Sequence, residues 1–209
     1  MTSSENLSSE VEIKDMNLPN KLTILRIIMI PLVMVFILLP IDGVWHLFTG
    51  AAIFLIATLT DMADGKIARR YDLVTDFGKF LDPLADKFLV FGTLCAMIGS
   101  NVDKFNDMKM WLSLSLAVII FRELAVTSIR LVAKNADGVV IAAAMLGKIK
   151  TVFQSICIIY LLISDAIIPD CFIKANHIID YALLAITVIL TVVSGMQYIL
   201  KYSKYISTK

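Results

Sequence analysis

The sequence predicts an all-α, polytopic membrane protein with six transmembrane helices, and three observations predict it. Hydrophobic residues make up 58% of the 209 residues and the mean hydropathy is +0.82, well above the range of water-soluble domains. The apolar residues fall in blocks that can supply the ~20 helical residues needed to cross a 30 Å hydrocarbon core. Lysine and arginine segregate between alternate connections, the pattern that orients helices in a bilayer.

The first helix is expected at about 21–40, opening behind Pro19 and Asn20 and closing at Pro40-Ile-Asp-Gly43. A second follows at about 44–70 and a third at about 79–100, joined by a short polar connection and ended by Gly99-Ser-Asn101. A fourth, at about 109–133, runs to the turn signal Asn135-Ala-Asp-Gly138. A fifth, at about 148–166, runs to Pro169-Asp170, and a sixth covers about 177–201. No internal repeat or long linker interrupts residues 17–209, which are expected to form one six-helix membrane domain. Residues 1–16 are polar and acidic, without the basic start and apolar stretch of a cleavable signal peptide, and are expected to be a mobile tail.

With the N-terminus inside, 16 of the 19 lysines and arginines fall on the cytoplasmic side, and only Lys104, Lys109 and Lys174 lie outside. This orientation places the chain in the cytoplasmic membrane among membrane lipids and turns its acidic cluster toward the cytoplasm. The odd set Cys95, Cys157 and Cys171 has no metal-type spacing and argues against a disulfide framework. No basic patch or motif of a nucleic-acid-binding protein is present. His46 and His177, near expected outer helix ends, read as interfacial, and Tyr198, Tyr202 and Tyr205 as an inner aromatic belt.

Asp61, Asp64, Asp82 and Asp86 stand at the inner ends of the second and third helices. An aspartate at bilayer depth costs about 2.5–3.5 kcal/mol, so four of them need compensating positive charge. Asp61, Asp64, Gly65 and Ala68 share one helical face, as do Gly78, Asp82 and Asp86. The short polar connection Tyr71–Phe77 is expected to force the two helices to be antiparallel neighbours whose acidic faces can meet. Hard oxygen ligands with no nearby His or Cys favour Mg²⁺, Mn²⁺ or Ca²⁺ over zinc, and four carboxylates suit two ions. Gly65 and Gly78 would let phosphates approach the backbone, and Arg69 is a natural phosphate partner. Charged helix ends snorkelling at the interface would explain one or two such residues but not the set.

These residues carry a resemblance to a known family. Asp61-x-x-Asp64-Gly65-x-x-Ala68-Arg69, eight further residues, and Gly78-x-x-x-Asp82-x-x-x-Asp86 resemble the signature of the CDP-alcohol phosphotransferases at every fixed position. The resemblance implies that family's six-helix fold, with a hydrated cavity open to the cytoplasm, usually in a homodimer. It further implies that the four aspartates hold two divalent cations, Mg²⁺ or Mn²⁺, that the metals bind the diphosphate of a CDP-linked lipid, and that Asp86 also serves as general base.

Outside the signature, Asn20, Thr23 and Arg26 form a polar arc on the first helix. Capping by Asn20 and snorkelling by Arg26 would explain it, but the arc also resembles the nucleotide-site segment of family members that use sn-glycerol 3-phosphate. Arg130 and Lys148 lie near cytoplasmic helix ends, where anchoring alone would account for them. In the functional reading they bind the phosphate of a water-soluble acceptor, with Arg122 and Lys150 as further candidates; Arg122 beside Glu123 is equally explained as a structural ion pair. The stretches around Arg130 and Lys148 resemble the same family members.

The expected reaction is phosphatidyl transfer from CDP-diacylglycerol to sn-glycerol 3-phosphate, giving phosphatidylglycerophosphate and CMP. The same chemistry with another acceptor, such as inositol phosphate, is the alternative within the family. From another class, a cation-coupled transporter would also place carboxylates in membrane helices, but near the midplane and with broken helices.

Overall fold

The computed structural model describes residues 18–41, 43–70, 76–137, 145–167 and 173–202. Among them are seven helices and no strand: α1 (Leu18–Leu38), α2 (Trp45–Arg70), α3 (Asp76–Gly99), α4 (Asp103–Asp107), α5 (Lys109–Asp137), α6 (Met145–Ile167) and α7 (Ile173–Tyr202). The six long helices coincide with the six hydropathy blocks. The polar ends of α3, α5 and α6 run further than those blocks, because a helix continues its backbone hydrogen bonding beyond its apolar stretch. Thus α3 starts at Asp76 and α5 passes the Asn135-Ala-Asp turn signal to end at Asp137.

Four of the described helices are long and apolar enough to cross a membrane, within Asn20–Leu38, Lys109–Leu131, Met145–Asp165 and His177–Tyr202. In α2 the apolar stretch Trp45–Asp61 is shorter. Asp82, Asp86 and Lys87 break the apolar run of α3.

The long helices pack as a closed ring in the order α1, α2, α6, α7, α5, α3 and back to α1. The expected direct pairing of α2 with α3 gives way to an arrangement in which these two barely touch and α1 stands between them. The connection at 71–75 does not force adjacency: five residues reach up to roughly 17 Å, about twice the separation of packed helices. Small residues let α1 settle there. A Cβ added at Gly92 of α3 would lie 3.0 Å from Met34 Sδ, and one at Gly50 of α2 would lie 3.3 Å from Ile37 Cγ1. Met29, Val33 and Ile37 fill the resulting seam against Phe54, Ala57, Leu89 and Met97, while Leu25, Ile28, Leu32 and Val35 remain exposed on the flank that suits lipid.

The far end of the bundle, remote from the acidic ends of α2 and α3, is tied by α4. Lys104, expected among the outer charges, is buried there with its Nζ 3.0 Å from Asp180 and 3.2 Å from Asp165, and it donates to Ser164. His46, expected at the interface, is also buried. In both cases helix packing closes over a side chain that local sequence leaves at a helix end. Cys95 and Cys157 are free thiols, and Cys171 lies outside the described residues.

Candidate active site

The insertion of α1 into the ring gives its polar arc a role that hydropathy does not reveal. Helix α1 begins at Leu18, so Asn20 lies within its first turn rather than at its N-cap, and its side chain is buried. One turn on, Thr23 Oγ1 donates to Asp82 Oδ1 of α3 at 2.5 Å. A further turn on, Arg26 Nη1 is 2.7 Å from Asp61 Oδ1 of α2. Arg26 is 0% exposed, which rules out snorkelling. One helix thus bridges both acidic helices, and the guanidinium offsets part of their repulsion in a medium of low dielectric.

The fit of this cluster to divalent cations rests on its donor chemistry. Asp61, Asp82 and Asp86 offer hard carboxylate oxygens, with neither imidazole nor thiolate beside them, which suits Mg²⁺ or Mn²⁺. Among the described residues no three His, Cys, Asp or Glu side chains yet form a metal-holding group. The side chains of Asp64, Ala68 and Arg69, with Gly65 and Gly78, lie outside the described residues, and Asp64 is the carboxylate that the expected set still needs.

Asp86, one turn further along α3 than Asp82, is exposed on the wall of a cleft of about 420 Å³ between α3, α5, α6 and α7. Arg122 and Arg130 of α5 and Lys148 of α6 line the same cleft, so three of the four cations expected to bind an acceptor share a cavity with the expected base. Lys150, the fourth, is buried beside Glu123, which accepts from its Nζ at 2.7 Å. It faces a much smaller cavity, about 30 Å³, shared with Asp86, Thr151 and Gln154. A larger cavity, about 530 Å³ between Trp111 and Leu114 of α5 and Tyr181 and Leu184 of α7, is almost wholly apolar and remote from this chemistry.

Three participants escape a reading of the sequence. Lys87 lines the cleft and donates to Thr127 Oγ1 at 2.8 Å. Tyr198, expected in the aromatic belt, is buried; its hydroxyl accepts from Arg130 Nε at 2.8 Å, and the guanidinium carbon lies 5.2 Å from its ring centroid. The adjacency of Lys87 to Asp86 was a usable signal. The other two have none, because partners 40 and 68 residues away are selected by the ring order.

Comparison with known proteins agrees with this chemistry. The profile of the CDP-alcohol phosphatidyltransferase family matches residues 16–193. A Bacillus subtilis (strain 168) protein named CDP-diacylglycerol–glycerol-3-phosphate 3-phosphatidyltransferase is 43% identical over 196 residues, covering 88% of this chain and 94% of the relative. Proteins of the same name from Escherichia coli (strain K12) and Shigella boydii serotype 4 (strain Sb227) are each 33% identical over 187 residues, covering 88% of this chain and 93% of each relative.

Proposed function

Because the chain belongs to the CDP-alcohol phosphatidyltransferase family, we propose that it transfers the phosphatidyl group of CDP-diacylglycerol to sn-glycerol 3-phosphate, releasing CMP. The observation that carries this reading is the single cleft in which Asp86 stands with Arg122, Arg130 and Lys148. A cationic cavity beside a carboxylate base suits an acceptor that brings both a hydroxyl and a phosphate. The relatives' names point to sn-glycerol 3-phosphate as that acceptor.

In the mechanism, Arg130 and Lys148 bind the acceptor phosphate, the arginine through a planar fork and the lysine as a point charge. The acceptor's primary hydroxyl is thereby directed at Asp86, whose carboxylate takes its proton. The hydroxyl oxygen then attacks the phosphorus that bears diacylglycerol; the new P–O bond forms as the bond to the CMP oxygen breaks. Tyr198 fixes Arg130 by accepting its Nε–H, and Thr23 and Arg26 fix Asp82 and Asp61. Two divalent cations held by Asp61, Asp64, Asp82 and Asp86 would neutralise the diphosphate and the departing CMP phosphate. Asn20, Gly65, Ala68, Arg69 and Gly78 complete the proposed CDP-lipid side.

In this reading all six long helices cross the cytoplasmic membrane, the cleft opens to the cytoplasm and two chains form a homodimer. The positive-inside distribution supports the orientation. The test is a competition in which the purified enzyme, supplied with CDP-diacylglycerol, receives radiolabelled sn-glycerol 3-phosphate, inositol phosphate or serine. Lipid-soluble label is expected from glycerol 3-phosphate. Transfer to inositol phosphate or serine instead would reassign the acceptor.

A further inference from the structure

Arg122 lines the cationic cleft, yet it is held in part from outside it. Its Nη1 donates to Glu123 Oε1 at 2.7 Å, the same oxygen that accepts from Lys150 Nζ at 2.7 Å. Its aliphatic stem lies against Gly195 of α7, where an added Cβ would come within 3.0 Å of Arg122 Cγ and 3.9 Å of its Cβ. Its Nη2 faces Gly147 of α6, 3.4 Å from where a Cβ would stand. The side chain is therefore threaded between glycines of two neighbouring helices and pinned by a carboxylate, and only 11% of it is exposed.

Glycine is disfavoured against alanine in a helix interior, so its presence at 195 has a packing reason. Gly195 is absent from the lining of the cleft; it lines an apolar groove with Phe121, Val192 and Met196 on the α5–α7 flank. The contact it makes with Arg122 is near the root of that side chain, where a clash cannot be relieved by moving a flexible tip. A methyl group there would require the arginine stem to give by a few tenths of an ångström at its Cγ.

We propose that Gly195 and Glu123 are positioning residues for the acceptor, holding the Arg122 guanidinium in the cleft wall where the acceptor's phosphate is read. This rests on the acceptor occupying that cleft, as proposed above. Without the carboxylate, Arg122 and Lys150 lose the oxygen they share and repel; with a methyl group at 195, the Arg122 stem is displaced from Gly195.

The experiment measures Michaelis constants for sn-glycerol 3-phosphate and CDP-diacylglycerol, together with melting temperature, on the full-length enzyme in lipid nanodiscs. Gly195→Ala should raise the acceptor constant at least ~5-fold, leave the CDP-lipid constant within about twofold, and not lower the melting temperature. Glu123→Gln should do the same to the acceptor constant, with Glu123→Asp recovering part of the loss because it keeps the charge. Gly99→Ala, whose added Cβ meets only the movable Leu38 Cδ2 at 3.3 Å, is the control for an extra methyl in a helix and should move neither constant.

The decisive comparison is Gly195→Ala made in an Arg122→Ala background. If Gly195 acts through Arg122, the double variant is no worse than Arg122→Ala alone. Losses that multiply, or an unchanged acceptor constant in Gly195→Ala while Arg122→Ala raises it, overturn the proposal and leave the acceptor cleft standing. Unchanged acceptor constants in Arg122→Ala and Arg130→Ala alike would instead remove the acceptor from the cleft, and this proposal with it.

Discussion

Asp61, Asp82 and Asp86 carry the same carboxylate into different surroundings, and the difference divides their work. Asp61 and Asp82 are engaged by Arg26 and Thr23, whereas Asp86 is exposed in the cleft with the acceptor cations. Asp86→Asn keeps the shape and loses the base; turnover should fall by about 10²–10⁴-fold, whereas CDP-lipid binding, measured by equilibrium dialysis, should fall far less, the other three aspartates still holding the cations. Near-normal turnover in that variant would exclude the role. For Arg130→Ala and Lys148→Ala the loss should appear in the acceptor constant, by roughly 10- to 150-fold for a lost charge-assisted contact. Arg130→Lys should recover little, since the lysine has neither the fork nor an Nε–H for Tyr198. The aspartates were legible in the sequence because helical spacing puts them on two faces without help from the fold. The hydrogen bond from Thr23 to Asp82 was not, because it joins residues 59 positions apart.

At the level of helices, hydropathy located all six long elements and missed α4, whose five residues are too few for any periodic signal. It also misjudged which helices touch, since a short connection limits distance without choosing neighbours. The buried ion pair that anchors α4 provides the test at this scale. Lys104→Met leaves Asp180, which is 0% exposed, without its cation, and losing one member of a buried pair costs about 3–5 kcal/mol. A marked fall in melting temperature is expected, with Lys104→Met/Asp180→Asn recovering a large part and turnover per folded enzyme unchanged in both. A melting temperature that does not move would show that α4 is not held by this pair.

For the whole molecule, the charge asymmetry and the acidic cluster make two further predictions. With Cys95, Cys157 and Cys171 replaced by serine, cysteines introduced at Asn106 and Lys201, both exposed, should label from opposite sides of the membrane, Lys201 from the cytoplasm. Labelling of both from one side would overturn the six-span arrangement. Chelation should abolish activity and Mg²⁺ or Mn²⁺ restore it; the same ions should raise the melting temperature of wild type but not of Asp61→Ala or Asp82→Ala. Full turnover in excess chelator would remove the metals from the reaction.

The closed ring also bears on how the protein is made. Some of its neighbours are distant in the sequence: α2 meets α6, and α7 meets α5 as well as α6. As the chain is synthesised, α1, α2 and α3 can associate early, bringing Arg26 to Asp61 and Thr23 to Asp82 within the first half of the polypeptide. The acceptor wall has to wait. Lys148 arrives with α6, and Tyr198 and Gly195, which contact Arg130 and Arg122, belong to α7, made after the other six described helices. The proposed donor side of the site therefore takes shape before the proposed acceptor side, and an unfinished chain stranded in the membrane would have carboxylates in place but no seat for the molecule that completes the transfer.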